Sequence, residues 1–166
     1  MTTTVLAMLL LTGCIEDVGK DKVQAVVEEA EPAPAPKKEA PAASKTLTVD
    51  VSQSTLKALG AKVTATHPVV FNTYEGKVMV ADGEVKGIQF TTKTADLESD
   101  HPKLTGHLKN EDFLFVEKFP DATFKSTGIK AGSKEAGMTH TVQGNLTIRG
   151  ETKKVTFPAK LGRPHL

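Results

Sequence analysis

The chain has 166 residues, 39% of them apolar, which gives room for one domain with a real core and a tail. The formal net charge is +1, with 17 basic against 13 acidic residues from Lys45 onward and no aromatics among clustered lysines, which argues against nucleic acid as a partner. Cys14 is the only cysteine, so no intramolecular disulfide can form.

Val5 to Leu11 is an apolar run too short to span a bilayer. Leu11-Thr12-Gly13-Cys14 follows and resembles the lipobox of bacterial lipoproteins. The resemblance implies that residues 1–13 are a signal peptide and that Cys14 becomes the lipidated N-terminus. Each buried methylene contributes only about 0.8 kcal/mol, so stable anchoring takes more than one acyl chain, and three are implied here. Ile15, in place of an acidic residue, favours by analogy an exported protein at the outer membrane, facing the periplasm. The competing reading of Cys14 as a small buried thiol needs a folded element around it.

Residues 14–44 read as a tether. Glu31-Pro32-Ala33-Pro34-Ala35-Pro36 and Lys37-Lys38-Glu39-Ala40-Pro41 form a Pro-Ala tract with mixed charge. Such a tract buries too little apolar surface to offset chain entropy, and its prolines favour extended polyproline II. Val23 to Glu31 has at most a transient helical turn.

Residues 45–166 read as the folded domain. Leu47, Val49 and Val51 alternate with Thr48 and Asp50. The same period-two pattern runs through Val63, Ala65 and His67, through Ile88 and Phe90, through Val142 to Ile148, and through Val155 to Leu161. One apolar and one wet face predict antiparallel strands, with hairpins at Asp82-Gly83 and Gly132 to Gly137. Many short strands without intervening helices predict an all-β sandwich or barrel. Asp100-His101-Pro102 predicts one short helix over Lys103 to Asp112, capped by Asp100 or His101 and lying over a barrel opening. Ser54 to Leu59 has helical propensity in a strand-rich setting and stays ambiguous on residues alone.

Five histidines invite a search for catalysis or metal. His101 and His107 are six apart, no His-x-x-x-His pattern occurs and no cysteine partner is available, so no metal site is predicted. His67 reads as a hydrogen-bonded core histidine. Glu111 with Asp112, and Asp96 with Glu98 and Asp100, read as solvated surface, and Ser126-Thr127 has no positioned base. No catalytic residue is assigned, and the chain reads as a non-enzyme.

His107 to Thr127 places Phe113, Phe115, Phe119 and Phe124 within a dozen residues of an otherwise aromatic-poor chain. Such a run is buried in a core or lines an apolar cavity. With His107-Leu108, Asp112-Phe113, Phe119-Pro120, Ala122-Thr123-Phe124, Gly144 to Gly150 and Lys154 to Phe157, the chain resembles the YceI-like family of exported proteins. The resemblance implies a lipocalin-like antiparallel barrel holding a long isoprenoid chain, and it makes Ser54 to Leu59 a strand. The family continues beyond the equivalent of Leu161, so the expected barrel is open, with an unpaired edge at Lys153 to Leu161 and a possible dimer through it. Inward alternation and the phenylalanine cluster together give the expected ligand contacts as Phe71, Ile88, Phe90, His107, Leu108, Phe113, Phe119, Phe124, Leu146 and Ile148. The ligand expected is a quinone or polyprenyl lipid, with no other cofactor. The rival is a stress-response or interaction lipoprotein whose phenylalanines plug a filled barrel.

Overall fold

The computed structural model describes residues 25–29, 44–62 and 65–162. Ten strands and one helix follow in chain order: β1 (Val26–Glu29), β2 (Lys45–Thr48), β3 (Leu56–Lys62), β4 (Ala65–Phe71), β5 (Tyr74–Ala81), β6 (Glu84–Lys93), β7 (Leu97–Ser99), α1 (Pro102–Lys109), β8 (Asp121–Ala131), β9 (His140–Ile148) and β10 (Glu151–Ala159). All strand pairs are antiparallel. They form a seven-stranded sheet in the order β1-β10-β9-β8-β6-β5-β2 and a three-stranded sheet β3-β4-β7. The sheets do not close on themselves, so the architecture is an open antiparallel barrel with one short helix.

The turns follow from their residues. Asp82 (φ 54°) and Gly83 (φ 73°) link β5 to β6, and Arg149 (φ 53°) and Gly150 (φ 77°) link β9 to β10. Two left-handed residues in a row match the twist of the flanking strands, and Gly is suited to the second position. Gly132 and Gly137, both at positive φ, bound the β8–β9 loop, which Gly132 N–H closes onto Thr139 O at 2.8 Å.

The two sheets share a corner. Chain runs β4→β5 and β6→β7 both change sheet there, the latter through a single 3-10 turn at Thr94–Asp96. The crossing is stitched by Lys93 N–H to Thr73 O (2.9 Å), Thr92 Oγ1 to Thr73 O (2.9 Å) and Asn72 N–H to Asp96 O (3.4 Å). Beneath α1, Val69, Leu97 and Leu108 form a buried cluster flanked by Phe71, Leu104 and Leu114.

Several expectations are corrected. Val51 does not continue the β2 face. Asp50 Oδ1 accepts from Ser52 N–H (2.9 Å) and Oγ (2.6 Å), and this turn leaves Val51 exposed. Ser54 to Leu59, ambiguous on residues alone and a strand by the family resemblance, is strand from Leu56 on, where pairing of β3 with β4 overrides helical propensity. Val63 lies outside the described residues. The helix ends at Lys109, and its His101 cap makes no side-chain bond. Strand β10 ends at Ala159. Most notably, Val26–Glu29 is a strand and not a helical turn, and it covers the β10 edge expected to be bare. Two β-branched residues and two glutamates facing Lys153 and Lys154 suit that edge.

Candidate functional site

Register places a continuous apolar face across the large sheet. Leu47 opposes Val78, Val78 opposes Ile88, Gly76 opposes Phe90, Phe90 opposes Phe124, Phe124 opposes Leu146, and Val142 opposes Phe157. Cross-strand partners share a face, so these side chains project to one side, with Val80, Ala122, Val142 and Val155 buried among them.

Two glycines on that face are seats for rings. A Cβ on Gly76 would stand 2.6 Å from Phe90 Cε1 and 2.7 Å from Val49 Cγ2. A Cβ on Gly144 would strike Phe124 Cε2 and Cζ, and would stand 2.6 Å from Lys125 O. Phe90 and Phe124 are direct cross-strand partners, yet Phe90 leans outward over β5 while Phe124 leans over β9 towards Phe157 (ring centroids 5.5 Å apart). Their glycine seats are three strand spacings apart, about 14 Å. Between them, β6 and β8 present Thr92, Ala122, Ile88 and Ser126. Ser126 Oγ accepts from Ile88 N–H at 2.8 Å, taking over the ladder just past the Gln89–Lys125 pair. The result is a strip floored by small and medium side chains and walled by two rings.

At the corner end of this strip sits Tyr74, opposite Thr92. Its hydroxyl is buried and has no hydrogen-bond partner. The neighbouring hydroxyls are committed, Thr92 to Thr73 O and Thr94 Oγ1 to Phe119 O at 2.9 Å. A buried phenol without a partner is rare enough to need a reason.

Five of the ten predicted contacts, Ile88, Phe90, Phe124, Leu146 and Ile148, share this face, with Ile148 38% exposed at its end. The other five lie elsewhere. Phe71 and Leu108 belong to the cluster beneath α1. His107 is exposed and its ring meets Phe113 at 5.9 Å, with Phe113 half exposed. Phe119 lies edge-on to Phe115 at 6.2 Å, with Lys118 Nζ 5.4 Å from its ring, and covers Gly150. That loop is also fastened by Arg149 Nη2 donating to Glu111 O at 2.7 Å. Phe115 has a left-handed backbone (φ 48°), with its N–H bound to Asn110 O at 2.9 Å. Tyr74, Gly76 and Val49 were missed. The usable signal was the alternation of Tyr74, Gly76, Val78 and Val80 with Glu75, Lys77 and Met79, which runs unbroken along β5, the extra residue at the register shift being Lys86 on β6.

Among the described residues, one surface depression of about 390 Å³, larger than a second, is polar and lined by residues of the 109–117 loop such as Glu111, Asp112 and Glu117. The smaller, about 30 Å³, is lined by Glu75, Gly76, Lys77, Gln89 and Thr91. None of the predicted contacts lines either one. His67 is hydrogen-bonded as expected, its Nδ1 3.0 Å from Asp100 Oδ1, but it is half-buried and not in the core. No group of three or more His, Cys, Asp or Glu able to hold a metal occurs among the described residues. Lys93 Nζ stands 2.7 Å from Asp121 Oδ1, and this pairing holds the lysine pKa above its ordinary value. No helix among the described residues is long and apolar enough to cross a membrane.

The sequence is similar to a UPF0312 protein of Pseudomonas aeruginosa, 38% identical over 93 residues, 55% of this chain and 47% of that protein. A UPF0312 protein of Pseudomonas putida is 45% identical over 80 residues, covering 48% and 40% respectively. The chain spans about half the length of these curated relatives. The crystal structure of Burkholderia cenocepacia BcnA superposes with a TM-score of 0.62 at 22% identity, covering 70% of this chain and 73% of that one, a likeness of fold alone. The Campylobacter jejuni YCEI protein, at 26% identity and a TM-score of 0.49 over 57% of this chain and 54% of that one, is too distant in shape to carry an argument. The sequence profile of the YceI-like domain matches residues 47–165, most of the chain, and to that family the chain belongs.

Proposed function

We propose that this chain is an exported, lipid-anchored binding protein that holds an isoprenoid chain, as a quinone or polyprenyl lipid, along the apolar face of its large sheet. The observation that carries this reading is the continuous apolar face of the large sheet, on which Phe90 and Phe124 turn away from each other over Gly76 and Gly144. Moving a five-carbon unit from water to such a surface gains on the order of 3 kcal/mol before the costs of binding, so a few units suffice without a charged contact. The orphaned Tyr74 hydroxyl at the strip's end supplies one donor for a carbonyl or phosphate oxygen at the ligand's head. Cys14 is the proposed anchor, with the domain facing the periplasm. The rival reading, a filled core without ligand, has the close packing of Phe124 on Phe157 in its favour.

Organic extraction of the purified protein followed by mass spectrometry, together with uptake of an added long-chain quinone, decides between them. Isoprenoid lipid is expected from the wild type and from Phe113→Asp, and is expected to be lost from Ile88→Asp. Folded wild-type protein that yields no isoprenoid and takes up no quinone would establish the filled core instead.

A further inference from the structure

We infer that Val26–Glu29 is an exchangeable edge strand, and that the β10 edge is a docking site for this same segment of a second copy of the chain. Strand β1 pairs with β10 through Val26–Thr156, Val27–Val155, Glu28–Lys154 and Glu29–Lys153. Successive side chains point to opposite faces, so the two glutamates grip the edge from both sides. Lys153 Nζ meets Glu29 Oε1 at 2.6 Å, and Lys154 Nζ meets Glu28 Oε2 at 3.6 Å. A shift by two residues breaks both pairs, so charge fixes the register.

The hold is specific but slight. Four residues are paired, against nine between β10 and β9, and Val26 and Val27 stay 60% and 62% exposed. Short, solvent-exposed pairing of this kind lies at the low-stability end of local opening. Topology then favours exchange. Strands β1 and β2 sit at opposite edges of the sheet, six strand spacings apart, or about 29 Å. The residues joining them, 30–43, include Pro32, Pro34, Pro36 and Pro41. Fourteen residues can span at most about 50 Å, so a neighbour's edge lies within the chain's reach as its own does. Reciprocal exchange keeps every β1–β10 contact and closes as a two-fold dimer, at the cost of association alone. Confinement of copies at one surface reduces that cost. This inference stands on the pairing itself and does not depend on what the apolar face binds.

The test places the two halves of one pair on different chains. In a Cys14→Ser background, which removes the only native cysteine, one preparation carries Val26→Cys and the other Thr156→Cys. Mild oxidation of the mixture at high concentration should give a disulfide-linked heterodimer, which neither chain can form within itself. An acceptor that also carries Glu28→Lys and Glu29→Lys repels its own β1, and should capture the donor about tenfold more. Doubly substituted Val26→Cys, Thr156→Cys chains report docking within one copy at high dilution. An intrachain bridge with no heterodimer at any concentration would overturn exchange. Failure of the intrachain bridge as well would overturn the docking of β1 on β10.

Discussion

At the scale of single residues, the apolar face depends on two positions where a side chain is absent. Both glycines make room for a phenylalanine, but their surroundings differ in how far they can yield. At Gly76 the obstructing atoms all belong to the side chains of Phe90 and Val49. At Gly144 they include the Lys125 carbonyl, 2.6 Å from where a methyl carbon would sit and fixed in the β8–β9 ladder. Gly144→Ala is therefore expected to destabilise by about 1–3 kcal/mol in urea titration, and Gly76→Ala by less, with the Phe90 ring turned towards the strip. Equal losses would mean that the backbone at Lys125 moves freely. Asp50 offers a second check. Its pKa is held below the ordinary 3.8, first by the Ser52 hydroxyl and then by the Ser52 N–H and the Gln53 side chain. The turn's stabilisation is thus present above the ordinary carboxylate range and lost as pH falls through the lowered value. An NMR titration should show the Ser52 amide following Asp50, and Asp50→Asn should abolish that response.

At the scale of elements, the cluster beneath α1 and the face of the large sheet are distinct pieces of packing. Leu97 is wholly buried in the first, between Val69 and Leu108. Leu97→Ala should cost about 2–5 kcal/mol in thermal or urea unfolding, by lost burial and the cavity left behind. The elements legible in sequence were those with local signals: the Asp82-Gly83 hairpin, the helix opened by Pro102, and strands β9 and β10 with unbroken alternation. Strand β5 alternates without a break, but Gly76 leaves a gap in its apolar face, and β3 was hidden by residues that suit a helix until β4 pairs with them. Strand β1 had no local signal at all, because what makes it a strand is an edge 124 residues away. Half of the candidate site was hidden for the same reason: inward alternation identifies a face, but the corner between the sheets decides that Phe71 and Ile88 serve different ones. Docking of β1 also has a pH signature. Lys153 is raised above its ordinary 10.5, chiefly by its hydrogen bond to Glu29, with Glu151 adding to the effect. Its contribution is full below 10.5 and lost as pH rises through the raised value, so β1 amides should lose exchange protection there before β9 amides do.

At the scale of the whole molecule, the proposed binding of a lipid chain to the apolar face of the open sheet has a consequence for stability. A ligand that binds the folded state alone stabilises it by about 2.7 kcal/mol at a hundred times its Kd. The two packing units divide that effect. The strip is built by β5, β6, β8 and β9, whereas Val69, Leu97 and Leu108 close a cluster of their own under α1. Amides that exchange by local opening report on the piece that opens. Addition of a long-chain quinone should therefore slow hydrogen exchange around Gly76, Ile88 and Phe124 while leaving Leu104 and Leu108 in α1 at their original rates. Tyr74→Phe should keep the protection along the strip, because the hydrocarbon contacts remain, and should weaken binding of the quinone relative to a hydrocarbon of equal chain length. Slowing confined to α1 would place the ligand in the cluster with Phe71 and Leu108, and the parted phenylalanines would then be core packing only.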